Sequence, residues 1–299
     1  MKKTKYYTVD GVVGKKPYLM TYRHYFPSHK TNDSVIVLIG GGGHSMRVWE
    51  ITPDGRKGWA MLFAEKGREV ITVNWACNSP KVYSCSKKEL CALTQRENMD
   101  LIKQVILRAV PNKRKVVFLG WSMGGPQAFI LATDIIPKLT AGIMGYAATG
   151  TLNYFFPPPS KQKPLNLQKP VTISDKIIGH FCKTTGFNRR LQKQYTDKYL
   201  LPFSPTMLAI QKKQTQVKEK WNILTIKNPK KIPPTLLIRG TLDDSYTAER
   251  VGLLESWLKK FQKDISVKQV RGFSHLGMLG YRNDRLVEVY LDWLKKRGL

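Results

Sequence analysis

The feature that most constrains this chain is an alternation of two patterns. Short apolar runs rich in β-branched residues occur at Val35–Ile39, Val70–Asn74, Val116–Leu119, Thr140–Met144, Thr235–Arg239 and Ile265–Val270. Helix-compatible stretches lie among and after them, over Leu90–Ala109, Gln127–Asp134, Ala248–Phe261 and Asp284–Lys296. A strand buried on both faces needs apolar residues on both sides of its pleat, so this order predicts an α/β fold, a mostly parallel central sheet flanked by helices. The last stretch shows its period directly, with Leu286, Val289, Tyr290 and Trp293 forming one apolar stripe.

The alternation breaks between Gly150 and Pro234. Prolines cluster at both edges of this segment, at Pro157–Pro159 and again at Pro229, Pro233 and Pro234. Inside it, Ser174–Thr184, Arg189–Tyr199 and Thr206–Trp221 are helix-compatible, and its lysines and arginines are opposed only by Asp175, Asp197 and Glu219. The segment reads as a helical insertion, 150–234, between two strands of one sheet whose core comprises 1–149 and 235–299.

Of the 299 residues, 42% are hydrophobic and 10% aromatic, which supplies a core and excludes a disordered chain. No run approaches the roughly 18 uninterrupted apolar residues of a membrane helix. The basic start, MKKTKYYTVDGVVGKKPY, lacks the apolar stretch of a signal peptide. Cys77, Cys85, Cys91 and Cys182 show no C-x-x-C pair and read as reduced thiols of a cytoplasmic protein rather than a disulfide or metal site. The net charge of +29 is spread from Lys2 to Arg297 in doublets. Neither a zinc-finger spacing, an RNA-binding aromatic signature nor a basic heptad region accompanies it. It is read as a solvated surface, with attraction for an anionic substrate or surface as the next reading and nucleic acid last.

Chemistry enters at Gly120-Trp121-Ser122-Met123-Gly124-Gly125, behind the run Val116–Leu119 and ahead of a helical segment. A lone G-x-S-x-G arises by chance in roughly one chain in ten of this size, so other parts have to be present. A serine hydroxyl is a weak nucleophile and needs a base, a carboxylate to orient that base, and donors for an oxyanion. Of the five histidines, His24, His29, His44 and His180 read as surface or structural residues. His275, in Gly272-Phe273-Ser274-His275-Leu276-Gly277, follows the last strand and precedes the last helix, which puts it on the same sheet edge as Ser122. Asp243 and Asp244 follow the Thr235 strand in Gly240-Thr241-Leu242-Asp243-Asp244; Asp243 is the candidate acid and Asp244 its alternative. Gly40 to Gly43 follow the Val35 strand without the G-K-[ST] of a phosphate loop and without G-x-G-x-x-G. They suit an oxyanion loop, with the N–H groups of Met123 and Gly42 as candidate donors. Trp121, Phe155, Phe156 and Trp221 are candidate apolar lining residues and equally candidates for ordinary core. No metal or organic cofactor is expected.

These residues together resemble the α/β-hydrolase superfamily. The matching stretches are GWSMGG at 120–125, LIGGGG at 38–43, RGTLDD at 239–244 and GFSHLG at 272–277, in that family's order of serine, acid, histidine. The chain departs from it at Gly40-Gly41, where many members carry His-Gly. WEITPDGRKGWA at 49–60 is similar to a loop of some bacterial esterase-like members. The resemblance covers essentially the whole chain and puts the 150–234 insertion at the family's cap position. It implies a serine hydrolase cleaving a carboxylic ester of a small or medium acyl or aryl substrate. Thioesterase, lactonase and carbon–carbon bond hydrolase are the alternatives with the same three residues; a non-catalytic basic ligand- or polyanion-binding member is the alternative from another class. Aspartate-dependent dehalogenases and epoxide hydrolases are disfavoured by the serine.

Overall fold

The computed structural model describes residues 6–13, 16–76, 86–111, 114–148, 165–174, 178–179, 188–211 and 226–299. Eight strands form one sheet: β1 Tyr6–Val13, β2 Lys16–Tyr25, β3 Val35–Ile39, β4 Glu69–Val73, β5 Val116–Trp121, β6 Thr140–Tyr146, β7 Thr235–Gly240 and β8 Ile265–Val270. Their order across the sheet is β1-β2-β4-β3-β5-β6-β7-β8. β4 to β8 and β3 pair in parallel, whereas β1 and β2 form an antiparallel hairpin that joins β4 antiparallel. All six expected strands are present; β3, β4 and β5 are buried at every residue, as strands inside a mostly parallel sheet are, while β8 at the sheet edge is partly exposed.

Alternate residues feed two core layers. Val35, Val37, Ile39, Val116 and Phe118 pack on one face with helix α3 (Gln95–Ala109). Ile36, Leu38, Val117, Leu119 and Trp121 pack on the other with α1 (Trp59–Glu65) and the last helix, α8 (Asn283–Lys295). α2 (Lys87–Ala92), α4 (Gly124–Ile130) and α7 (Ala248–Lys259) complete the flanking layers.

Several expected boundaries differ. Leu90–Ala109, expected as one helix, is α2 and α3 separated at Leu93–Thr94, because two capping boxes compete with continuity. Ser86 accepts from Glu89 N–H, and Thr94 accepts from Glu97 N–H while Glu97 reaches back to Thr94 N–H. The segment expected as Gln127–Asp134 starts at Gly124 and runs into a π turn at Leu131–Ile135. The β1–β2 hairpin and α1 were not expected.

Between β6 and β7, the described part of the insertion includes α5 (Arg189–Tyr199), at the expected bounds, and α6 (Pro205–Gln211). The remainder of the Thr206–Trp221 expectation lies outside the described residues, as does most of Ser174–Thr184. No helix among the described residues is long and apolar enough to cross a membrane. Cys91 is a buried free thiol, and the other three cysteines lie outside the described residues.

Candidate active site

Register carries the sequence candidates to one edge. Ile39 of β3 pairs with Gly120 of β5, and Trp121 of β5 pairs with Tyr146 of β6. Gly240 of β7 pairs with Val270 of β8. The loops holding the glycine run, Ser122, Asp243 and His275 therefore all leave the carboxyl ends of parallel strands, where an open α/β sheet forms its crevice.

Ser122 sits on a sharp turn between β5 and α4, with φ +51, in the left-handed region that a side-chain-bearing residue rarely adopts. The turn is held by Ser122 N–H to Tyr146 O at 3.2 Å and Gly125 N–H to Ser122 O at 3.0 Å. Gly120 has to be glycine for the chain to reverse so tightly: a Cβ there would stand 2.5 Å from Gly124 O.

The structure brings Ser122, His275 and Asp243 into one chain of contacts. Ser122 Oγ lies 3.0 Å from His275 Nε2, and His275 Nδ1 lies 3.0 Å from Asp243 Oδ2. Asp243 Oδ1 accepts from the N–H groups of Ser245 and Tyr246, each at 2.9 Å. Burial at 1% exposure pushes the Asp243 carboxyl upward, but His275 and these two N–H donors outweigh it and hold the carboxyl below its ordinary value. Asp243 thus stays ionised beside the imidazole. Asp244 is exposed, whereas Asp243 is buried against His275.

Two aromatic side chains that sequence reasoning did not assign to this task hold the histidine loop. Trp121 Nε1–H donates to His275 O at 2.9 Å, and Tyr146 O–H donates to the preceding carbonyl, Ser274 O. Trp121 is 0% exposed, so in this structure it is core and an anchor for His275 rather than a pocket wall. Its signal in the sequence was its place as the last residue of a central strand, where a ring bearing an N–H reaches the neighbouring loop. Phe155, Phe156 and Trp221 lie outside the described residues.

The glycine run lies over the elbow. A Cβ on Gly41 would be 3.1 Å from Ser122 Cβ, and one on Gly42 would be 2.3 Å from Met123 Sδ. The insertion touches this run through its backbone: Leu201 N–H donates to Gly43 O at 2.8 Å and Ser45 N–H donates to Tyr199 O at 2.9 Å. Phe203 packs edge-on to Trp75 and borders both Gly42 and Gly43. His44, which the sequence left as an ordinary histidine, is buried beside Trp121. Among the described residues, no group of three His, Cys, Asp or Glu side chains is gathered as a metal centre would need.

No family model and no curated protein matches the sequence. Solved structures match along nearly its full length. A thermophilic esterase from Thermogutta terrifontis is 13% identical over 99% of this chain and 100% of its own, with a TM-score of 0.66. A probable hydrolytic enzyme from Pseudomonas aeruginosa PAO1 is 15% identical over 96% and 93%, with a TM-score of 0.63. A serine hydrolase involved in carbazole degradation is 15% identical over 97% and 99%, also at 0.63. At such identities the likeness is one of fold.

Proposed function

From its α/β-hydrolase fold and the relay at its strand ends, we propose that this protein is a serine hydrolase cleaving carboxylic esters of small or medium acyl or aryl substrates. The observation that carries the reading is the Ser122–His275–Asp243 chain of contacts, at 3.0 Å each. Fold alone does not give a function; the placement of a nucleophile, a base and a buried acid does.

His275 Nε2 takes the proton of Ser122 as its Oγ attacks the ester carbonyl. Asp243 holds the other ring nitrogen as N–H and stabilises the imidazolium that forms. The N–H groups of Met123 and Gly42 stabilise the oxyanion of the tetrahedral intermediate. His275 then protonates the departing alcohol, leaving an acyl group on Ser122. Water attacks this acyl-enzyme with His275 as base, releasing the acid and restoring the serine. No step calls for a metal or an organic cofactor. In this reading the 150–234 insertion is a cap, supported by its backbone contacts with the glycine run.

A panel of nitrophenyl esters, acyl thioesters and lactones, assayed with wild type and Ser122→Ala, tests the proposal. Ester turnover by wild type that falls by about 10⁴-fold or more in Ser122→Ala supports it. Turnover confined to thioesters or lactones keeps the nucleophile and replaces the substrate class. Turnover unchanged in Ser122→Ala overturns the reading.

A further inference from the structure

The Gly42 carbonyl accepts a hydrogen bond from the side chain two residues on, His44, at 2.8 Å. A carbonyl oxygen only accepts, so the facing ring nitrogen, Nδ1, carries the proton. Nε2 then holds the lone pair, and it is buried with no hydrogen-bond partner among the described residues. Burial pulls the imidazole down to about 3, so the ring is neutral throughout the working range of an ester hydrolase. Its position is set by packing: the ring meets Trp121 edge-on with centroids 4.5 Å apart, and Tyr195 of α5 lies 5.6 Å away.

We infer that His44 is a positioning residue for the oxyanion loop, holding the Gly42–Gly43 peptide plane so that its carbonyl faces away from the charge developing on the substrate. The inference rests on the serine hydrolase reading. In a trans peptide the C=O and N–H point in opposite directions, so rotating the plane exchanges their places. That rotation uses ψ of Gly42 and φ of Gly43, and glycine on both sides removes the Cβ clashes that resist it elsewhere. Gly43 stands at φ +70, in the region that glycine occupies freely. The next carbonyl, Gly43 O, is tied to Leu201 N–H, and Ser45 N–H is tied to Tyr199 O, so the loop is fixed downstream by the insertion. The 42–43 plane is tied by His44. A carbonyl swung toward the oxyanion would oppose the negative charge that appears in the transition state and leave the neutral bound ester little affected. Loss of the anchor therefore lowers kcat more than it raises KM.

The test compares His44→Leu, which fills the space without a donor, with His44→Asn, whose side-chain N–H₂ occupies the place of Nδ1–H. His44→Gln is a third variant, placing its amide near Nε2 instead. Steady-state hydrolysis of a short nitrophenyl ester gives kcat and KM, and circular dichroism monitors folding. The expected result is a fall in kcat of about 30-fold for His44→Leu with KM changed by less than about 3-fold. His44→Asn returns to within about 5-fold of wild type. Where His44→Leu does not fold, the same contrast is read between His44→Asn and His44→Gln. Wild-type kcat in His44→Leu, or Asn no better than the variant lacking the donor, overturns the inference while leaving the nucleophile intact. Wild type that neither turns over esters nor reacts at Ser122 with a fluorophosphonate overturns both readings.

Discussion

Ser122 holds φ +51, and Ala147, just beyond the neighbouring strand β6, holds φ +46. Each such residue costs on the order of 1 kcal/mol, and here each strand end is hydrogen-bonded to the next strand of the sheet. Ser122 N–H reaches Tyr146 O, and Ala147 N–H reaches Ile238 O. The same two strand ends supply the Trp121 and Tyr146 rings that hold the histidine loop. Trp121→Phe keeps a buried ring and deletes the N–H that reaches His275 O. We expect kcat to drop about 10-fold and stability by about 1 kcal/mol, measured by ester hydrolysis and by urea unfolding. At this scale the convergence of Ser122, Asp243 and His275 on one sheet edge was legible because each follows a recognisable strand. Trp121 and His44 were not, since a sequence shows that a ring is apolar or titratable but not which carbonyl its N–H meets. Asp243 was the candidate acid and Asp244 its alternative; in the fold Asp243 is buried against His275, whereas Asp244 is exposed.

Among the elements, those buried on both faces were the most legible: β3, β4 and β5 are apolar runs in the sequence and fully buried runs in the fold. The β1–β2 hairpin was obscured because it occupies the sheet margin, where one-sided pairing needs no continuous apolar run. The break between α2 and α3 was written in Ser86, Glu89, Thr94 and Glu97, but their capping role competes with an unbroken helical period that spans both. The elbow is an element-scale device as well, since β5 and α4 meet across Gly120. Gly120→Ala puts a Cβ 2.5 Å from Gly124 O, a backbone atom with no rotamer to yield. The variant should lose about 2 kcal/mol or more in urea unfolding and most of its ester turnover, because relieving the clash moves Ser122.

Across the whole molecule, a basic chain keeps a few buried carboxylates, and Glu69 shows how. It accepts from Arg114 Nη1 at 3.0 Å and Nη2 at 2.9 Å, and its Oε1 lies 2.8 Å from His24 Nε2. This ties β2 to β4 and to the approach of β5. Burial would raise the Glu69 carboxyl, but the His24 and Arg114 contacts prevail and pull it down to about 2. A folded-state value below the ordinary carboxylate value of about 4 stabilises the fold above that value, and the contribution is lost as the pH falls toward about 2. Glu69→Gln should therefore cost about 2 kcal/mol at neutral pH, with the gap to wild type narrowing in urea unfolding as the pH is lowered from about 5 to about 3.

The central claim is that this molecule gathers distant loops to activate one serine. Incubation of folded wild type with a fluorophosphonate, followed by peptide mass mapping, tests it most directly. The account predicts a single adduct, on Ser122, that is lost when the protein is unfolded first and slowed by about 10²-fold or more in His275→Ala. Folded protein that stays unmodified, or modification equally fast without His275, would contradict it.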